Sequence, residues 1–142
     1  VITRTEIMLE NYSKVLTIEG LTMLDMARRD IFPAVSGYVR ALAKTAAEVK
    51  AALPGAEASA EEETAKELLA LNGEIAAEAK RLEALLSEAQ AVTETAAQAS
   101  FFAEKVLPVM QRLRAAADKA ESLTDEKAWP FPTYGDLLFS VN

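Results

Sequence analysis

The amino-acid sequence predicts an all-α fold, an antiparallel bundle of three long helices followed by an aromatic, proline-rich tail. Helix formers dominate the 142 residues, while Gly and Pro number 5 each, so intrinsic propensity favours helix almost everywhere. An apolar content of 51% is above that of disordered chains and sufficient for one globular domain with a core. Apolar residues also recur at three- and four-residue steps along three separate stretches, the spacing of a helix that buries one face.

The first helix is expected over about 4–53. Ile31, Val35, Tyr38, Leu42, Val49 and Leu53 keep one phase across Pro33, which fits a long helix kinked where proline removes a backbone bond and crowds the carbonyl four residues back. Two helices meeting at Phe32-Pro33 are the alternative. Gly20 and Gly37 are tolerable inside a helix at about 1 kcal/mol each. The run Leu16, Ile18, Leu21, Met23, Leu24 and Met26 covers more than one face, so something beyond a single neighbouring helix must cover the surplus.

Leu53-Pro54-Gly55-Ala56 ends this helix, and Ser59 before Glu61, Glu62 and Glu63 reads as an N-cap with acids in the first turn. The second helix, about 59–92, carries the seam Leu68, Leu71, Ile75, Leu82, Leu85, Ala89 and Val92, with Glu78 as its one polar intruder. The third seam, Phe102, Val106, Val109, Leu113, Ala116, Ala120 and Leu123, steps by three and four throughout. One helix spanning both seams would run roughly 95 Å with its seam uncovered. A reversal between Val92 and Gln98 is therefore expected, with Thr93 or Thr95 capping a third helix over about 95–123 and a second kink at Pro108.

The tail, 124–142, contains Trp129-Pro130-Phe131-Pro132-Thr133-Tyr134-Gly135-Asp136, then Leu137, Leu138 and Phe139. Each proline favours extended geometry in the residue before it, and four of the nine aromatics fall in the last fourteen residues, so the rings must bury against the bundle or against a partner. Trp129, Phe131, Tyr134, Leu137 and Phe139 are the candidate docking residues, and Asp136 is a possible cap for a short final helical turn.

The chain has no Cys and no His, which excludes disulfides, thiolate metal sites and the commonest general base. Of its net charge of −7, residues 57–94 supply the whole, with 10 acidic against 3 basic residues. No segment offers the basic face that nucleic acid requires. No apolar run approaches the roughly 20 residues that span a bilayer, and no signal-peptide layout opens the chain, so a cytoplasmic protein is expected. The apolar surplus of the first helix is nearly neutral, unlike a membrane-surface helix. The start at Val1 without Met reads as a piece of a longer protein.

Glu63 with Glu67, and Glu74 with Glu78, could bind a hard divalent cation, but a solvated acidic helix face accounts for them, with Glu78 satisfied by Lys or Arg from a facing helix. Arg28 and Arg29, beside Asp25 and Asp30, could grip a phosphate or carboxylate, whereas local helical pairing is the plain explanation. Tyr12, Ser13, Ser36 and Tyr134 lack an activating base. No catalytic, cofactor-binding or metal residue is assigned. Carboxylate-only metal chemistry resembles the di-iron bundles superficially, but those need Glu-x-x-His pairs.

Three stretches carry a family resemblance: Arg4-Thr5-Glu6-Ile7-Met8-Leu9-Glu10-Asn11-Tyr12, Met26-Ala27-Arg28-Arg29-Asp30-Ile31-Phe32-Pro33-Ala34-Val35, and Trp129-Pro130-Phe131-Pro132-Thr133-Tyr134-Gly135-Asp136-Leu137-Leu138-Phe139. Together with Val106-Leu107-Pro108, Met110 and Leu113-Arg114, they resemble the C-terminal region of type III glutamine synthetases. Residues 51–100 are generic alanine-rich helix. The resemblance implies an ATP-dependent, divalent-metal ligase that joins ammonia to glutamate through γ-glutamyl phosphate, in cytoplasmic assemblies of stacked hexameric rings. It also implies that the ATP, Mg and glutamate sites precede Val1. This chain would then be a noncatalytic structural domain, packing on the rest of its own chain and on neighbouring subunits of a homo-oligomer. A free-standing helical protein-interaction module is the alternative.

Overall fold

The computed structural model describes residues 2–132. They form three helical rods packed on one another, and no strand occurs among them. The first rod comprises α1 (Arg4–Met26), a π-helical turn (Ala27–Ile31) and α2 (Phe32–Ala52). The second is α3 (Ser59–Ala91) alone. The third comprises α4 (Thr95–Phe101), a second π-helical turn (Phe102–Val106) and α5 (Leu107–Leu123).

The first rod starts at Thr3, whose hydroxyl accepts from the Glu6 N–H at 3.1 Å and satisfies an otherwise orphaned donor. Both interior prolines are accommodated in the same way. Pro33 has no N–H for the carbonyl of Arg29 and its ring would crowd it, and the preceding turn widens so that Phe32 N–H bonds Ala27 O, five residues back. Pro108 repeats this, with Leu107 N–H bonded to Phe102 O. Backbone angles stay right-handed helical at both junctions, −56°/−49° at Phe32 and −57°/−44° at Leu107. The alternative of two helices meeting at Phe32-Pro33 is thus excluded, and the expected kinks are π-turns. The wider turns also keep residues four apart on the core side: Ala27, Ile31 and Val35 in the first rod, Phe102, Val106 and Met110 in the third, all buried.

At Leu53-Pro54-Gly55-Ala56 the chain reverses. Ala56 N–H bonds Leu53 O at 2.9 Å, and Gly55 takes the positive φ of 88° that such a proline-glycine turn requires. Two expectations fail nearby. Leu53 is 60% exposed rather than part of the seam, because it has left the helix. Ser59 is the first helical residue, and Ala58 before it caps α3 without a side-chain bond. At the second reversal neither Thr93 nor Thr95 is the cap. Glu94 fills that place, its carboxylate accepting from the N–H groups of Ala96 and Ala97 at 3.2 and 2.6 Å. A glutamate can cap because Val92 and Glu94 are extended and turn the carboxylate toward the positive helix end.

The rods run antiparallel. Arg28 bonds Glu83 and Asn72 bonds the Phe32 carbonyl between the first rod and α3, while Arg112 meets Glu78 and Lys119 meets Glu67 between α5 and α3. α3 is the central element, packed against α2 on one side and α5 on the other. Its core residues are Leu68, Leu71, Ile75, Ala79, Leu82, Leu86 and Ala89. Leu86 is buried where Leu85 was expected, and Leu85 is only partly covered.

Gly20 is buried in α1, and a Cβ there would lie 3.0 Å from the Leu86 side chain, so its small size permits the close approach of α1 to α3. Gly37 in α2 has nothing within 4 Å of such a Cβ. Thermal or urea unfolding should therefore separate the two glycines. Gly37→Ala should stabilise by about 1 kcal/mol through helix propensity. Gly20→Leu should destabilise by about 1–3 kcal/mol through overpacking. Equal responses would contradict the packing described for α1.

Candidate functional site

Among the described residues, several charged side chains pair with one another across the bundle. Glu67 pairs with Lys119 at 3.7 Å, and buried Glu78 accepts from Arg81 of its own helix at 2.5 Å and from Arg112 Nε of α5 at 3.4 Å. A facing-helix arginine was the partner type anticipated for Glu78. Among the described residues no group of three or more acidic, His or Cys side chains is arranged to hold a metal ion. Ser13 is buried in α1 against the bundle, where it has no base beside it.

Arg29 pairs locally with Asp25 at 3.7 Å, as helical spacing predicts. Arg28 corrects that expectation. It reaches across to α3 and clasps Glu83 with both Nη atoms, at 2.7 and 3.2 Å. The two-pronged hydrogen bond to Glu83 raises the Arg28 pKa and, reciprocally, Arg28 lowers that of Glu83. Lys50, hydrogen-bonded to Glu62 beside the first reversal, lowers the Glu62 pKa in the same manner.

Two apolar surfaces are open to interaction. The first is a groove of about 570 Å³ between the first rod and α5, lined by Ile18, Met23, Met26, Ala27 and Ile31 on one side and Met110, Leu113 and Ala117 on the other. Trp129 and Phe131 line it too, Trp129 buried to 9% exposure. They arrive there because Thr124 bonds the Ala120 carbonyl at 2.7 Å and a turn begins at Asp125, whose carbonyl accepts from Trp129 N–H at 3.1 Å. The candidate docking residues Trp129 and Phe131 are thus seated on the chain's own bundle. Tyr134, Leu137 and Phe139, and the proposed cap Asp136, lie outside the described residues.

The second surface is the outward side of α1. Of the ten most exposed large apolar side chains among the described residues, seven fall at residues 2–21: Ile2, Ile7, Met8, Tyr12, Val15, Ile18 and Leu21. Ile2 precedes the helix; on it, Ile7, Met8, Val15 and Ile18 point away from the buried stripe of Ser13, Leu16, Gly20 and Leu24, and Tyr12 and Leu21 flank that stripe. A helix apolar on both sides is characteristic of one buried on both sides. Sequence reading found the surplus apolar content but could not tell which face the bundle would leave uncovered. The methionine-lined groove escaped it, because its walls come from three separated segments.

The glutamine synthetase C-terminal domain family matches residues 1–50. A glutamine synthetase of Butyrivibrio fibrisolvens is 38% identical over 138 residues, which cover 97% of this chain and 20% of that protein. The type-3 glutamine synthetase of Dictyostelium discoideum is 24% identical over 141 residues, and a glutamine synthetase of Bacteroides fragilis strain YCH46 is 28% identical over 141; each covers 96% of this chain and 19% of the relative. The chain is a helical domain homologous to the C-terminal region of glutamine synthetases, the type III enzymes included. It spans about a fifth of the length of these curated relatives. No helix among the described residues is long and apolar enough to cross a membrane.

The lowered Glu83 and Glu62 pKa values have a definite sign. A depressed carboxyl contributes stability above the ordinary glutamate range and loses it as pH falls through the lowered value. Native protein should melt slightly above Glu83→Gln at neutral pH, with the gap closing in acid and shrinking in high salt, since both partners are largely exposed. A gap unchanged in acid would mean that Glu83 acts through packing rather than charge. Trp129→Ala should cost about 3 kcal/mol in urea unfolding if the ring is seated as described, and a negligible cost would remove it from the groove.

Proposed function

We propose that this chain is the noncatalytic C-terminal assembly domain of a type III glutamine synthetase, a cytoplasmic enzyme of nitrogen metabolism that makes glutamine from glutamate, ammonia and ATP with Mg. In this reading the catalytic, ATP-binding and metal-binding residues belong to the preceding part of the longer protein, and this domain supplies none. Its partners are the rest of its own chain and neighbouring subunits of a homo-oligomer, without nucleic acid or membrane.

One observation carries the reading: the uncovered apolar side of α1. Ile7, Met8, Val15, Ile18 and Leu21 are each at least 43% exposed, yet they occupy the part of the chain that the glutamine synthetase C-terminal family matches. Apolar surface on this scale is characteristic of a contact with something large. The chain makes up about a fifth of its relatives' length, so the missing cover is a natural fit to the remaining four fifths. Trp129 and Phe131 then anchor the tail on the groove, and Tyr134, Leu137 and Phe139 are retained as docking residues on the strength of their apolar chemistry. A free-standing interaction module is the weaker reading, because it leaves unexplained why the similarity to glutamine synthetases covers 96–97% of this chain.

The double substitution Ile7→Glu with Ile18→Glu tests this. Both side chains are exposed, so the isolated chain should keep its helical circular dichroism and melting temperature. In the full-length enzyme the same pair should lower the assembled mass seen by light scattering and reduce glutamine synthesis at least tenfold. Unaltered mass and activity of the full-length variant would refute the proposal.

A further inference from the structure

The bundle holds a second concavity, of about 400 Å³, between α3 and the third rod, lined by Arg81, Ala84 and Leu85 from α3 and by Glu104, Lys105, Pro108, Val109 and Arg112 from the other side. From the combination of a buried carboxylate, three cations and an apolar floor, we propose that this cleft binds a phosphate-bearing small molecule. The proposal is independent of the assembly role argued above.

Glu78 lies behind the cleft rather than in its lining, and it positions two of the cleft's cations. It is 8% exposed on a seam position of α3, and it takes one hydrogen bond from Arg81 Nη1 at 2.5 Å and a symmetric approach of Arg112 Nε, 3.4 Å from each carboxylate oxygen. One buried carboxylate thus orients two guanidinium groups from different helices. Neither is consumed by it. Arg112 engages Glu78 through Nε alone, and the two arginine side chains remain 56% and 59% exposed. Lys105, carried on the second π-turn, makes no ion pair or side-chain hydrogen bond within the described residues and lines the same concavity.

The lining carries three cations and one carboxylate, Glu104, so that even with Glu78 counted the local balance is one positive charge, on a chain whose net charge is −7. Fixed guanidinium groups with unused Nη donors match the geometry of phosphate oxygens, and Lys105 adds a mobile point charge. Ala84, Leu85, Pro108 and Val109 offer a dry contact for an organic moiety.

Isothermal titration of the 142-residue chain with inorganic phosphate, pyrophosphate and phenyl phosphate, at ionic strength matched with sodium chloride, tests this. At least one probe should bind saturably at one site per chain. Tightest binding of phenyl phosphate would assign the site to an organic phosphate, and tightest binding of pyrophosphate to a polyphosphate. Lys105→Ala, which leaves the Glu78 contacts intact, should weaken binding about fivefold or more, while Lys105→Arg should preserve it. Arg112→Gln should weaken binding further, with folding followed by circular dichroism. Absence of saturable binding by all three probes, or binding by Lys105→Ala equal to that of the native chain, would overturn the proposal.

Discussion

Burial of the α3 seam on two sides is the constraint from which the rest of the structure follows. Leu68, Ile75 and Leu82 are almost wholly enclosed, at 0–1% exposure, which one neighbouring helix could not achieve. α2 covers one flank and α5 the other, and each must lie antiparallel because short reversals connect it to α3. Fully burying a leucine or isoleucine contributes about 1.5–3 kcal/mol, so this shared seam is the largest coherent source of stability. The prolines enter as a complication of the same demand. A straight α-helix interrupted at Pro33 or Pro108 would carry its apolar stripe off the seam, and the π-turns keep Ile31, Val35, Val106 and Met110 buried.

Fold class was legible because it rests on composition and period. Ala, Leu, Glu and Lys favour helix over nearly the whole chain, and the third seam, Phe102 to Ala120, is buried at every step the spacing marks. Details governed by the backbone at helix ends were not legible. Thr93 and Thr95 look like caps by residue type, yet Glu94 has the extended backbone that aims an oxygen at the helix start. Ser59 falls one residue too late for the same reason. Proline signalled disturbance at the correct places without revealing that the backbone would absorb it by a wider turn, since that choice depends on which residues the core needs.

The candidate site was only half legible. Aromatic density pointed to Trp129 and Phe131, and both meet a surface as their chemistry requires. That the surface is the chain's own groove, floored by three of its four methionines, depends on tertiary structure bringing residues 23, 26 and 110 together. The seam position of Glu78 pointed to a facing-helix cation, which Arg112 supplies, but the partner of Arg28 was invisible. Arg28 has Asp25 and Asp30 close in sequence, but Glu83 offers its two-pronged geometry on the facing helix. The surplus apolar content of the first helix was visible from residue identities alone, whereas its concentration on the outward side of α1 required the bundle to define which side was already covered.

Under the proposed assembly role, the outward side of α1 is an internal surface of a larger glutamine synthetase. Amide hydrogen exchange read by mass spectrometry, comparing the isolated chain with the full-length enzyme, tests it most directly. The account predicts that peptides covering residues 4–21 exchange readily in the isolated chain and become strongly protected in the enzyme, while α3 peptides around Leu68–Leu82 are protected in both. Equal exchange of residues 4–21 in the two proteins would contradict it.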